Sequence, residues 1–242
     1  MTMWKNLTTA CVAGILSTPV FAQSSEWQFQ GSLYLFAAET DLTVGDVEGT
    51  LSFSDALDNL DFAGMAAFRA TNNKWTFIGD LMYFNLGFEN DTSRPLFNRV
   101  DTDQKNTILS GYALYRVYET QTAVLDLGGG FRYFNTDTEL TLRSDVIDNR
   151  RVSTDDNWTD PILAAQANFK LSDTWGLMLA ADYGSFIDDR TTYSVTATLD
   201  YAFNENWIGR IGYRYLNVED EDGDVDFRFE QSGPILGVSY RF

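Results

Sequence analysis

Apolar and polar residues alternate along most of the chain, a pattern typical of β-strands whose two faces meet different surroundings. The clearest run is 193–203, in which odd positions are apolar or aromatic and even positions are Ser, Thr, Thr, Asp and Ala. In a soluble sandwich the polar face would meet water. In a membrane barrel the apolar face meets lipid and the polar face lines the lumen. The alternation alone leaves both fold classes open.

The connections between the alternating runs favour a membrane barrel. Four are short and polar, at 71–74, 119–122, 172–174 and 204–206. Three of these connections are followed directly by a tryptophan, namely Trp75, Trp175 and Trp207. Trp27 likewise follows a Ser-Ser-Glu segment near the start. Aromatic girdles at the lipid–water boundary have this placement, whereas a sandwich core would put Trp in mid-strand. We therefore interpret these four residues as interface aromatics.

The remaining connections are longer and rich in acidic or polar residues. They lie near 39–60, 91–103, 144–157, 186–191 and 218–226. Short turns at one end and long loops at the other predict an all-β, antiparallel, up-and-down transmembrane β-barrel with periplasmic turns and extracellular loops. The expected strands are 26–38, 60–71, 74–90, 104–118, 122–143, 157–171, 174–187, 192–204, 207–219 and 226–242.

Ten strands is the count that these connections favour, and an even number suits a single-chain barrel. Eight strands would require two runs to merge or disappear. Twelve would promote 41–44 and 49–53 to a separate membrane pair, which we interpret instead as a hairpin above the membrane. In the same loop Phe53, Ala56, Leu57 and Leu60 have helical spacing. This predicts a short helix over the barrel mouth, either covering its own apolar face or acting as a partial gate.

The first 22 residues have the composition of a cleaved signal peptide. Lys5 precedes a mostly apolar or small stretch, and Val20-Phe21-Ala22 offers a cleavage site. The predicted domain is then a barrel at 23–242. Cleavage would remove Cys11, so the mature chain would have no thiol chemistry. No later run of about 18 apolar residues predicts a membrane helix.

Charge and composition exclude several function classes. Loss of Lys5 changes the formal net charge from −18 to −19, which argues against binding nucleic acid. The acidic segment 220–226 is interpreted as a solvated loop rather than a calcium site, because its spacing differs from an EF-hand loop. We predict no metal, no cofactor and no catalytic residue.

The polar face of the strands carries a set of charges that we expect inside the barrel. The set is Arg69, Asp80, Arg116, Asp126, Arg132, Lys170, Asp182, Asp200, Arg210, Arg214 and Arg241. Asp200 with Arg210, and Arg116 with Asp126, are near register partners and are expected to pair. The favoured interpretation is a salt-bridged polar lumen that keeps a narrow barrel closed. The alternative is a small-solute pore with a cationic constriction, because basic residues outnumber acidic ones.

The end of the chain resembles the last strand of bacterial outer-membrane barrels. Leu236, Val238, Tyr240 and Phe242 alternate with smaller or polar residues. This ending is similar to the signal read by the barrel assembly machinery, which we expect as a partner together with outer-membrane lipid and lipopolysaccharide. The expected location is the bacterial outer membrane.

Other stretches resemble a family of small, porin-like Gram-negative outer-membrane barrels. They are 53–62, 130–133, 157–161, 212–215 and 233–242. The resemblance implies a barrel without a known substrate. Omptin proteases, outer-membrane phospholipase A, the lipid A palmitoyltransferase and the lipid A deacylase resemble the chain in architecture, and each of those families relies on a catalytic histidine. The chain has no histidine. We therefore predict a non-enzymatic structural or surface-interaction barrel, with a soluble periplasmic β-sandwich binding module as the rival of a different class.

Overall fold

The computed structural model describes residues 27–44, 47–91, 99–144, 148–185, 190–220 and 227–242. Its strands are β1 (Gln28–Phe36), β2 (Glu39–Val44), β3 (Val47–Leu51), β4 (Leu60–Thr71), β5 (Trp75–Asp91), β6 (Arg99–Glu119), β7 (Ala123–Arg143), β8 (Arg150–Lys170), β9 (Trp175–Gly184), β10 (Arg190–Ala202), β11 (Trp207–Asp220) and β12 (Phe227–Arg241). One helix, α1, spans Phe53–Asp58. The predicted signal peptide and segment 221–226 lie outside the described residues.

Ten of the described strands form a closed antiparallel ring. Its order is β1-β4-β5-β6-β7-β8-β9-β10-β11-β12, and β12 pairs back onto β1 from Gln30–Arg241 to Phe36–Ile235. Strands β2 and β3 form a hairpin attached to the outer end of β12. The predicted ten-stranded barrel is confirmed, and 41–44 and 49–51 belong to a hairpin outside the ring, whereas Phe53 begins α1. Within the described ranges, no helix is long and apolar enough to cross a bilayer.

The periplasmic turns are fixed by side chains that accept backbone hydrogen bonds. Asn72 Oδ1 accepts from the N–H groups of Lys74 and Trp75, at 2.8 and 2.7 Å. Asn204 Oδ1 does the same for Asn206 and Trp207, at 3.0 and 2.9 Å. Such local bonds reverse the chain within a few residues. They also set the tryptophan that follows each turn at the start of the next strand.

The first barrel strand changes partners half-way along its length. β1 and β2 follow β12 in one register, interrupted at Ala37–Ala38, where Ala37 N–H donates to the Pro234 carbonyl at 2.9 Å. A Cβ on Gly233 would lie 2.2 Å from the Ala37 carbonyl oxygen, so only glycine allows this close approach. On its other edge β1 pairs with β4 only up to Leu33–Ala66. Above that rung, β2 pairs with β3 instead.

The exterior of the ring is apolar above the tryptophans that begin the strands. Large apolar side chains exposed there include Leu33, Leu35, Leu81, Leu163, Val195, Ile211 and Leu236. Along the same strands the alternate side chains point inward and are buried, for example Met82, Arg132 and Ser194. This inside–outside alternation is that of a membrane barrel. It places the chemistry of interest in the lumen.

Candidate functional site in the barrel interior

Arg132 and Asp182 form the most buried ion pair of the lumen. Arg132 on β7 reaches past β8 to Asp182 on β9, with 2.9 Å between Nη2 and Oδ1 and side-chain exposures of 1% and 7%. The guanidinium also donates to Thr192 Oγ1 at 2.8 Å and to Ser110 Oγ at 3.2 Å. Because every arm of the guanidinium has a partner, the buried charge is compensated.

A second pair crosses the lumen at a similar depth. Arg214 on β11 lies 3.2 Å from Asp80 on β5, and these strands are far apart around the ring. The Tyr34 hydroxyl of β1 donates to Asp80 Oδ2 at 2.9 Å and accepts from Arg214 Nη1 at 3.3 Å. Three walls are thereby joined through one polar network. The network therefore spans the middle of the barrel.

Two further pairs lie nearer the periplasmic end, each between neighbouring strands. Arg210 binds Asp200 through two bonds of 2.8 and 2.7 Å. Arg116 lies 3.2 Å from Asp126, which is itself buried. These are the two pairs that the sequence register anticipated. Together the four pairs account for all four predicted interior acids.

Arg69 differs from the other interior arginines. Its Nη2 donates to the amide oxygen of Gln166 at 2.7 Å. In the described part of the chain, no carboxylate lies within 4.0 Å of this guanidinium. The interior thus holds one arginine more than its four acid–base pairs require.

Lys170 and Arg241 lie at the periplasmic rim rather than in this network. Lys170 Nζ is 2.7 Å from Asp173 in the turn, and both side chains are largely exposed. The hydrogen bond from Lys170, followed by its positive charge, lowers the pKa of Asp173. Arg241 is exposed beside Phe242. The basic surplus in the deep lumen is therefore smaller than the sequence suggested.

An apolar cluster fills the extracellular half of the lumen, where the sequence interpretation expected a polar wall. Its buried members are Phe36, Ala38, Met82, Phe84, Leu86, Ile108, Phe134, Trp158, Leu216, Val218, Phe229 and Ile235. Phe134 stacks on Trp158 with ring centroids 4.7 Å apart and meets Phe229 edge-on. Leu51 of β3 and Ala56 of α1 pack on the cluster. The predicted loop helix therefore closes this apolar layer from above.

Two open volumes remain below the apolar layer. A chamber of about 150 Å³ lies in mid-lumen, and its charged lining residues are Arg69, Asp80, Asp182, Arg210 and Arg214. A periplasmic vestibule of about 330 Å³ is lined by the turns at 120–124 and 172–177 and by Arg241. No group of three or more acidic side chains in the described ranges is placed to hold a metal ion.

The predicted girdle and the end of the chain meet at the periplasmic boundary. The four girdle tryptophans are each between 42% and 45% exposed. Trp207 packs edge-on against Tyr240 at 4.9 Å, and Tyr240 against Phe242 at 5.2 Å. Phe242 N–H donates to the Phe29 carbonyl at 3.0 Å. Leu236 and Val238 face outward on the same strand.

Solved structures of other proteins share the fold of this chain, although no sequence comparison finds a relative. No protein-family model and no curated protein sequence matches the chain. The outer membrane protease OmpT from Escherichia coli aligns with a TM-score of 0.63 and 9% identity, over 90% of this chain and 98% of OmpT. Ail, the attachment invasion locus protein of Yersinia pestis, aligns with a TM-score of 0.42 and 14% identity, over 90% of this chain and 99% of Ail. The translocator domain of autotransporter NalP from Neisseria meningitidis aligns with a TM-score of 0.47 and 14% identity, over 92% of this chain and 90% of that domain.

At 9% identity the likeness to OmpT concerns the fold alone. It agrees with the closed antiparallel ring and with the apolar exterior bounded by tryptophans. These features belong to a protein that crosses the outer membrane with its strands. The chain is thus a small ten-stranded β-barrel protein of the Gram-negative outer membrane.

Proposed function

We propose that the barrel is closed to diffusion and that the protein has a structural or surface-interaction role. The observation that carries this proposal is the apolar layer in the outer half of the lumen. Met82, Ile108, Phe134 and Leu216 are each no more than 1% exposed. An ion crossing this layer would lose its hydration and meet few polar groups, among them the buried Asn106 amide, which is very costly.

The ion pairs below the apolar layer support the same conclusion. Arg132–Asp182 and Arg214–Asp80 connect strands that are not neighbours in the ring. Removing one partner of such a pair leaves a buried charge without compensation. The pairs therefore favour a narrow, rigid middle section over a wide channel.

A non-catalytic role is part of the proposal. The chain contains no histidine, and each interior aspartate is bound by an arginine. A guanidinium that occupies the carboxylate oxygens leaves them little room to contact a substrate. The likeness to the protease OmpT rests on the fold and transfers no active site.

The surface through which the protein would act is its tall wall of strands. β6, β7 and β8 each have 21 residues and extend well above the tryptophan girdle. The outer ends are charged and cross-linked by the pairs Arg99–Asp101, Arg143–Asp101 and Arg151–Glu139. β8 pairs with β9 only from Leu163 to Lys170. In its outer part, before Leu163, no described strand pairs with the edge of β8 that faces β9. We propose this wall as the contact surface for extracellular partners and lipopolysaccharide, with the barrel assembly machinery engaged during insertion.

A cationic small-solute pore is the second candidate. The chamber, the vestibule and the carboxylate-free Arg69 favour it, because an opened lumen would present surplus positive charge at its constriction. This candidate requires the apolar layer to open.

Planar-bilayer conductance separates the two candidates. We expect no discrete channels from the wild-type protein. The double variant Phe134→Ala with Trp158→Ala lacks the stacked aromatic pair and should show anion-selective openings. The matched control is Phe77→Ala with Phe131→Ala, which truncates two aromatic side chains on the lipid face. Regular wild-type channels would overturn the closed-barrel proposal, and cation-selective openings in the lumen variant would overturn the cationic constriction.

A further inference from the structure

The change of partner along the first strand leaves a window in the barrel wall. Below the window, Leu33 and Ala66 form the last rung between β1 and β4. Above it, β3 pairs with β2 from Thr40–Leu51 upward, and α1 leads across to β4. Among the described residues, 34–39 on one side and 60–65 on the other have no ladder joining them. We call this gap the lateral window.

The lateral window lies at the depth of the outer leaflet. Tilted strands rise about 2.5 Å per residue along the membrane normal, so the Leu33–Ala66 rung stands about 12 Å above Thr71. Leu60, where β4 begins, stands about 27 Å above Thr71 by the same measure. The apolar band of such barrels is about 25 Å tall. The window therefore opens towards acyl chains rather than towards water.

The lower part of the lateral window, below Glu39 and Asp61, is apolar on both faces. On the lipid side Leu35 is 65% exposed and Phe62 is 60% exposed. On the lumen side Phe36 is buried in the apolar cluster, with Ala63 and Met65 packed against it. The backbone edges between them lack strand partners, which is unfavourable in hydrocarbon unless a polar group reaches them. An acyl chain lying in the window would contact the apolar side chains on both faces.

The mid-lumen chamber adjoins the base of the window. Its lining includes Tyr34, Ala67 and Ile235 as well as Arg69. The other chamber charges are neutralised in pairs, since Asp80 binds Arg214, Asp182 binds Arg132, and Arg210 binds Asp200. Arg69 has only the neutral Gln166 amide as its hydrogen-bond partner in the described lumen. A carboxylate placed there would receive a charge-assisted hydrogen bond.

We propose that the barrel binds a fatty-acid-like amphiphile through the lateral window. The carboxylate lies in the chamber on Arg69, and the acyl chain passes between β1 and β4 to the outer leaflet. The site is independent of ion conduction, because the apolar layer above the chamber stays in place.

Binding of palmitate labelled with ¹³C at its carboxyl carbon tests the head of the site. In neutral detergent micelles, NMR should show a protein-bound carboxyl signal separate from the micellar one. Arg69→Gln should weaken binding about tenfold or more, because a charge-assisted hydrogen bond is lost. Arg69→Lys should retain part of it, and Arg241→Gln at the exposed rim should match wild type. Heat-modifiable gel migration verifies that each variant is folded.

A covalent block tests the window itself. Gly64 on β4 faces outward beside it, and a Cβ there would meet only the Phe62 ring, at 3.4 Å. Gly64→Cys modified with pyrenylmaleimide should abolish the bound signal, whereas the unmodified variant should keep it. Gly79→Cys carrying the same label is the matched control, because this glycine has open space on the lipid face.

Three results would overturn the proposal. They are the absence of a bound carboxyl signal, equal binding by wild type and Arg69→Gln, and undiminished binding after the Gly64→Cys block. Loss of binding from the labelled Gly79→Cys protein would show that bulk on the lipid face, rather than the window, controls the signal.

Discussion

Asp80 and Arg214 bind each other across the barrel, from β5 to β11, at 3.2 Å. The contact joins two walls that share no ladder, and Tyr34 ties it to a third. The cross-section of the lumen is thus set by side chains as well as by strand number. The predictions below test which contacts hold this arrangement.

Removing one partner of the most buried pair should destabilise the barrel. Asp182→Ala leaves Arg132 buried without its carboxylate, and we expect a loss of about 3 to 5 kcal/mol in the free energy of unfolding. Denaturant unfolding in detergent, followed by tryptophan fluorescence, measures it. Asp173→Ala, in the exposed turn, should leave the transition where it is. Equal midpoints for the two variants would contradict the role given to the pair.

The membrane boundary can be located with two valines. Val195 and Val152 are both 54% exposed, but Val195 lies at bilayer depth and Val152 on the outer extension of β8. Val195→Lys should cost about 2 to 4 kcal/mol of folding free energy in a bilayer. Val152→Lys should cost almost nothing. Folding titrations into phospholipid vesicles compare them, and a similar cost for both would mean that the assigned boundary is misplaced.

The last strand should govern insertion. Trp207 packs against Tyr240, and Tyr240 packs against Phe242. The double variant Tyr240→Ser with Phe242→Ser loses two of these three rings, so we expect lower levels of assembled barrel in outer-membrane fractions. Phe203→Ser is the control, since Phe203 is an exposed aromatic residue near the same boundary, in the turn that follows β10. Normal assembly of the double variant would show that the ending is incidental.

The loop helix should depend on its first cap. Ser52 Oγ accepts from Asp55 N–H at 3.2 Å and donates to the Asp55 carboxylate at 2.7 Å. Ser52→Ala should destabilise α1 by about 1 kcal/mol and speed hydrogen exchange at Ala56 and Asn59. Thr50→Ala, whose hydroxyl donates to Asp41 rather than to the helix, should change exchange less. If exchange rises equally in both variants, the cap does not hold the helix.

Local sequence signals predicted the ring, because alternation and turn chemistry act over a few residues. Asn72 and Asn204 show why: each fixes its turn by hydrogen bonds to residues two and three positions ahead. The outer strand ends were harder to predict. β6 begins at Arg99 and β8 at Arg150, several residues before the predicted starts, since above the membrane both faces meet water and the alternation fades.

The interior was predictable only where partners are neighbours. Asp200 and Arg210 lie opposite each other on adjacent strands, so their register could be read from the chain. Arg132 and Asp182 are separated by a whole strand, and their contact depends on the curvature of the closed ring. The apolar layer left a weak trace in β5, where Met82, Phe84 and Leu86 make the inward face apolar. No local sequence pattern marks the lateral window, because it arises where β1 stops pairing with β4 and the following strand, β2, pairs with β3.

The unequal strand lengths give the molecule a sloping rim. β6 to β8 run for 21 residues and β9 for only 10, so one side stands roughly 25 Å higher than the other. Seen from outside the cell, the barrel therefore has a distinct front and back within the plane of the membrane. A large molecule that approaches from the side of β6 to β8 meets their charged outer ends first. An encounter from that side therefore differs from one at β9, where the described strand is short.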